Sequence, residues 1–271
     1  MAPPDPSAEL VPPNPVSPPD SGRDPWVGLG AHTAARIALG RAGGSLRTES
    51  LLEFRVAHSR ARDAVQAEFD VGRLEGELRA AGLASARLAS AAGDRAQYLR
   101  RPDLGRALAP ASADWLRDFA RETPPRDVAI LVSDGLSAAA TVHAAGTVTA
   151  LVRHLGEAGM SHYPVFIVPL ARVKLQDAVG DILGVRLGVI LLGERPGLSA
   201  PDSLGAYLTY EPRAARSDAD RNCVSNIRAG GLPPPVAARK IAHLLLDSLR
   251  LGLSGTRLRE RAGELPAGGP G

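Results

Sequence analysis

The chain is poor in aromatic residues, which make up 4% of its 271 positions, so its core has to be assembled mostly from Leu, Val, Ile and Ala. It has one cysteine, Cys223. That excludes an internal disulfide framework and a multi-cysteine zinc site, and points to a reducing cytoplasm. Lysine is nearly absent as well: Lys174 and Lys240 are the only two, and arginine supplies the rest of the 32 basic residues. The net charge is +3 and the isoelectric point about 9.4. The arginines nevertheless form no run and are not interleaved with aromatics. Nucleic-acid binding is therefore not expected, because its footprint is a clustered stripe. Dispersed arginine suits bidentate pairing at protein interfaces equally well.

No apolar run approaches the roughly 20 residues that a membrane helix needs. No basic segment followed by an apolar one opens the sequence, so a secretory signal is not expected. The six histidines show no metal-ligand spacing, and no metal site is expected. The dinucleotide glycine fingerprint, the P-loop and the Gly-x-Ser-x-Gly elbow are all missing.

What is present falls into four stretches. Residues 1–25 contain nine prolines among Ser, Asp and Glu. They read as a disordered Pro-rich tail, because nothing there can bury apolar area. Residues 26–110 read as a helical N-terminal region. Helical composition covers Ala34–Ala42 and Glu49–Phe69, the second with Thr48 as a cap and an apolar face that includes Leu52, Phe54, Val56 and Ala57. Gly72–Gly82 reads as a further helix closed by its glycine, and a short strand fits near Ser85–Ala91.

Residues 111–260 read as an α/β domain, and 261–271 as a flexible C-terminal tail. Asp127–Asp134, Tyr163–Leu170 and Leu187–Leu192 are continuous apolar runs, as expected of strands buried on both faces. Ala206–Tyr210 is a candidate fourth strand. Between them lie helical segments from Ser137, an N-cap candidate, to about Gly159, and over Leu175–Leu183; Pro235–Leu251 closes the series. This alternation implies an α/β fold with a mainly parallel, doubly wound (Rossmann-like) sheet. Such sheets bind ligands beyond the C-terminal ends of their strands.

Three segments carry candidate chemistry. Ser133–Ser137 is either an anion-binding helix start or a plain strand-to-helix connection. In Gly193–Ser199, Glu194 can accept from amide donors and Arg195 can pair with a carboxylate, or the two brace the loop as a salt bridge. Asp220–Ile227 packs hydrogen-bonding side chains around Cys223, suggesting a ligand wall or a subunit contact. Cys223 is either a nucleophile, which would need a base beside it, or a small buried hydrophobe.

These segments together resemble the ethanolamine ammonia-lyase light chain. The resemblance is carried in order by Arg41-Ala42-Gly43, by Thr48 with His58 and Arg62-Asp63-Ala64-Val65, and by Asp134-Gly135-Leu136-Ser137. It continues through Gly193–Ser199 (GERPGLS), Asp202-Ser203-Leu204 with Tyr207 and Tyr210, and Arg221–Ile227 (RNCVSNI). It spans about Pro25 to Arg257, and the ordered set is far more specific than any one block. It implies the small subunit of a cytoplasmic enzyme, one that a bacterial microcompartment can house, that converts ethanolamine to acetaldehyde and ammonia. The radical would come from homolysis of adenosylcobalamin. The large (heavy) subunit would carry the radical chemistry, and large–small pairs would join in a higher-order assembly.

The family's cofactor contacts fall here on Val173, Glu194 and Cys223, with no catalytic and no metal-binding residue in this chain. Leu175-Gln176-Asp177 departs from the family pattern, in which a small residue and then Asp follow the valine. No Asp-x-His-x-x-Gly occurs, so the cobalamin is expected to keep its own dimethylbenzimidazole on cobalt (base-on). Two rival readings are a stand-alone α/β hydrolase using Cys223 or Ser137, and a purely scaffolding subunit.

Overall fold

The protein is described by a computed structural model over residues 44–258 and, ahead of them, residues 26, 28–29, 32, 35–37 and 39–42. The expected tails at 1–25 and 261–271 lie outside the described residues. The chain divides into two compact units, Met1–Arg55 and Val56–Gly271.

In the first unit, two-residue strands β1 (Arg41–Ala42) and β2 (Ser45–Leu46) pair antiparallel, with Arg41 opposite Leu46. The helix expected over Ala34–Ala42 is therefore not formed where the chain is described. Gly40 sits at φ +67°, a left-handed conformation that interrupts a helix and lets the chain turn into the hairpin. Helix α1 (Thr48–Gln66) starts where the capping threonine suggested. The helix runs on into the second unit; along it, among the described residues, Ala57 and Ala64 are buried while Leu52, Phe54 and Val56 are exposed.

The second unit is a mixed α/β layer. Strands β3 (Ser85–Arg87), β4 (Val128–Ser133), β5 (Val165–Ile167), β6 (Leu187–Gly193), β7 (Leu204–Tyr210) and β8 (Arg221–Ile227) form one sheet in the order β3-β5-β4-β6-β7-β8. The first four are parallel; β7 and β8 return antiparallel. The fold class thus agrees with the sequence, with a hairpin extension that the alternation of strands and helices did not show.

Both faces of the sheet are covered. In β4, Val128, Ile130 and Val132 join one apolar cluster, and Ala129 and Leu131 join the other. This period of two on a strand with no exposed residue is why its sequence is apolar throughout. The first cluster is closed by α2 (Val71–Ala80), α5 (Ala144–Glu157) and α7 (Pro234–Leu251), the second by α4 (Pro110–Glu122) and α6 (Leu175–Leu183). A short helix, α3 (Arg95–Arg100), lies between β3 and α4.

The helix ends follow local chemistry. Asp70 accepts the Arg73 amide at 2.8 Å to cap α2. At its other end, Gly82 N–H reaches Arg79 O and Leu83 N–H reaches Leu78 O, the paired closure that a left-handed glycine permits. Among the described residues no helix is long and apolar enough to cross a membrane.

Candidate functional site

The strand-to-helix connection after β4 is tied up by its own surroundings. Leu136 N–H donates to Gly193 O at 2.8 Å, and Ser137 N–H to Asp134 O at 3.1 Å. Ser137 makes no side-chain cap; its hydroxyl donates to Pro201 O at 2.7 Å, and a 3-10 turn over Ala138–His143 precedes α5. Two of the amides that an anion would use, those of Leu136 and Ser137, are thus occupied, which favours a structural connection. The fully buried Ser137 is likewise no candidate nucleophile.

The same connection does something the sequence did not reveal. Asp134 is buried and accepts the Leu170 amide at 2.7 Å, while Ser133 Oγ accepts the Ala171 amide at 3.0 Å. These bonds hold Leu170 at φ +57°, a costly conformation for a branched side chain. Burial raises the Asp134 pKa, opposed by the Leu170 N–H and the Arg95 guanidinium, which is 3.1 Å away. The strained turn delivers Arg172 and Val173 to the start of α6.

Val173 and Cys223 then line one cavity of about 340 Å³, together with Arg106, Arg172, Lys174 and Tyr207. Asp218 and Arg221 complete its polar wall. Arg172 stacks 4.1 Å over the Tyr98 ring and donates to Tyr98 O at 3.1 Å, while its Nε is buried without a partner. Arg221 forms a two-pronged ion pair with Asp177, at 2.9 and 2.6 Å, with both side chains at most 3% exposed. Lys174 Nζ donates to the carbonyls of Ala214 and Arg216.

Cys223 lies inside β8 rather than in a loop. Directly opposite residues on neighbouring strands share a face, so Ile190, Tyr207 and Cys223 form a row across β6, β7 and β8. Cys223 is exposed, which corrects the expectation of a buried small hydrophobe. Desolvation by its neighbours raises its thiol pKa, and the Glu194 charge adds to the rise against a hydrogen bond from Tyr207. The Tyr207 hydroxyl is also raised, first by burial and then by Cys223 and Glu194. A thiol shifted this way is a poor nucleophile at neutral pH, the opposite of an activated catalytic cysteine.

Glu194 is half-buried just beyond β6 and does not pair with the exposed Arg195. Its carboxylate instead accepts from Ser203 Oγ at 2.5 Å, Ser225 Oγ at 2.6 Å and the Asn226 amide at 3.2 Å. The structure therefore brings Val173 and Cys223 to one cavity, while Glu194 is not among the residues that line it. Sequence reasoning missed Tyr207 as a wall residue and the Arg221–Asp177 pair. The only available signal was the position of both charged residues within segments already singled out.

The second unit is thus an α/β sheet protein carrying a concave, partly cationic cavity of the kind that takes a ligand. The model of the family "Ethanolamine ammonia-lyase light chain (EutC)" matches residues 23–259. The ethanolamine ammonia-lyase small subunit of Azotobacter vinelandii is 48% identical over 241 residues, covering 88% of this chain and 89% of its own. That of Ralstonia nicotianae is 49% identical over 246 residues, covering 90% and 91%. That of Bradyrhizobium diazoefficiens is 49% identical over 253 residues, covering 92% and 95%. The chain belongs to the ethanolamine ammonia-lyase light-chain family and so is part of that enzyme, alongside a large subunit.

Proposed function

We propose that this chain forms one wall of the adenosylcobalamin site of ethanolamine ammonia-lyase, with Val173, Glu194 and Cys223 as its cofactor contacts. The observation that carries the reading is the meeting of Val173 and Cys223 on a single cavity. A cavity of about 340 Å³ is far smaller than a corrinoid. It suits a site completed by a second polypeptide, here the large subunit, which on this reading binds ethanolamine and carries the radical chemistry.

The residues present fit the group. A corrin bears amide side chains on its rim, and the Glu194 carboxylate is oriented by three donors while keeping lone pairs for amide NH₂ groups. Val173 offers apolar contact and Cys223 a protonated, unreactive thiol. When bound, adenosylcobalamin supplies the carbon-centred radical that starts the reaction. This chain's residues hold and orient the cofactor and shield it from water. This chain has no Asp-x-His-x-x-Gly segment that would take the place of the cofactor's own base, so the proposal includes base-on binding. The assembly is a higher-order set of large–small pairs in the cytoplasm, within a microcompartment where one is made.

The test is spectrophotometric titration of the purified large–small complex with adenosylcobalamin, comparing native protein with Glu194→Ala. Loss of a charged hydrogen bond should weaken binding by about 1.5–3 kcal/mol. Unchanged affinity would favour a purely scaffolding subunit. Base-on binding is checked by EPR of the Co(II) form with nitrogen-labelled histidine, where superhyperfine coupling from protein would refute it.

A further inference from the structure

The cavity is more cationic than a corrin rim requires. Arg106, Arg172, Lys174 and Arg221 converge on it, against Asp218 on the same wall and Asp177 behind it. Neutral amide side chains need hydrogen-bond partners, not surplus positive charge. Asp177 is already committed to Arg221, bidentate, and lies 3.6 Å from Lys174 Nζ. Arg106 is exposed and makes no side-chain hydrogen bond or ion pair among the described residues. Arg172 is held in place by Tyr98, yet its buried Nε has no acceptor. That Nε is closed off from solvent, so an outside acceptor would meet the terminal NH₂ groups of the fork, of which the Tyr98 carbonyl takes one donor.

We propose that this corner of the cavity is a phosphate site, in which Arg106 and Arg172 receive the phosphodiester of the cofactor's nucleotide loop and Lys174, whose ammonium is already hydrogen-bonded to the Ala214 and Arg216 carbonyls, adds only its charge. The proposal rests on the cobalamin reading above and deepens it: Val173 and Cys223 face the corrin, and the cationic corner takes the one anionic group that a cobalamin carries. Planar guanidinium groups suit a phosphate's paired oxygens, and Lys174 adds a point charge. Arg221 keeps the floor in place through Asp177 and is a positioning residue.

The experiment titrates the large–small complex with three corrinoids. Adenosylcobalamin carries the phosphodiester, adenosylcobinamide phosphate ends in a phosphate, and adenosylcobinamide has neither. Native protein should bind the two phosphate-bearing ligands at least about tenfold more tightly than adenosylcobinamide. Arg106→Ala, an exposed substitution that leaves the packing alone, should erase much of that preference while leaving adenosylcobinamide affinity unchanged. Arg106→Lys should restore part of it, and Lys174→Gln should behave like Arg106→Ala. Millimolar inorganic phosphate should compete with adenosylcobalamin and not with adenosylcobinamide.

Equal affinity of native protein for all three corrinoids would overturn the phosphate site while leaving the cobalamin reading standing. So would equal weakening of all three by Arg106→Ala and Lys174→Gln. Inorganic phosphate that binds without displacing adenosylcobalamin would assign the cations to a separate anion, against the proposal. Failure of native complex to bind any of the three would instead bring down the cobalamin reading itself.

Discussion

The carboxylate of Glu194 reaches across β7 to accept a hydrogen bond from Ser225 on β8, at 2.6 Å. Gly205 leaves room for the crossing: a Cβ there would stand 2.8 Å from Glu194 Oε1 and 3.0 Å from its Cγ. Gly205→Ala should push the flexible Glu194 side chain off its partners without unfolding the sheet. The expected loss is about 1–2 kcal/mol of stability from the broken hydrogen bonds, read by denaturant unfolding. Corrinoid affinity of the complex should fall with it. Native-like affinity in Gly205→Ala would show that the orientation of Glu194 does not matter.

Arg221 distinguishes two kinds of ion pair in one residue. Its bond to Asp177 is buried, whereas its contact with Asp218, at 3.4 Å, involves a partner whose side chain is 89% exposed. Asp177→Ala should cost roughly 3–5 kcal/mol, because it strands a buried guanidinium. Asp218→Ala should cost less than about 1 kcal/mol. Thermal unfolding of the two variants should rank them clearly, and equal losses would contradict this account of the cavity floor.

Acid should remove one identifiable increment of stability at the start of β4. Asp127 accepts from the Ser161 hydroxyl at 2.6 Å and the Ser161 amide at 2.8 Å, which together lower its pKa. A carboxyl whose folded pKa lies below its unfolded value stabilises the fold above the unfolded value. That contribution is lost as pH falls through the folded one. The stability gap between native protein and Asp127→Ala should therefore be full at neutral pH and shrink as pH drops below about 4. A gap that widens on acidification would reverse the sign and refute the assignment.

Cys223 should alkylate slowly despite its exposure. Desolvation and the nearby Glu194 charge keep the thiol protonated at neutral pH, so iodoacetamide should react more slowly than with a free thiol and accelerate only at higher pH. Adenosylcobalamin bound to the complex should slow it further. Rapid labelling at neutral pH, untouched by the cofactor, would revive a nucleophilic cysteine.

The core strands were legible because burial on both faces writes itself as an unbroken apolar run, as in Val128–Ser133. β8 was not, and the reason is local. Val224 and Ile227 both face the same core although they are three residues apart. Asn226 at φ +60° and the register shift opposite Leu204 and Ala206 insert an extra residue, which breaks the alternation that marks a strand. The helix expected over Ala34–Ala42 failed for a similar reason, since composition does not show that Gly40 turns left-handed.

At the site, Val173 and Cys223 were placed by resemblance, and their shared cavity depends on contacts distant in sequence. Asp134 reaching Leu170, and Asp177 reaching Arg221, are 36 and 44 residues apart, beyond any motif. Ser137 illustrates the converse: it has the residue type of a cap, but the carbonyl of Pro201 competes for its hydroxyl and wins.

The most direct test is a cryo-EM map of the large–small complex with adenosylcobalamin bound. Corrin density should touch Val173, Glu194 and Cys223 of this chain on one side and the large subunit on the other. Density enclosed wholly within the large subunit, or lying far from those three residues, would contradict the account.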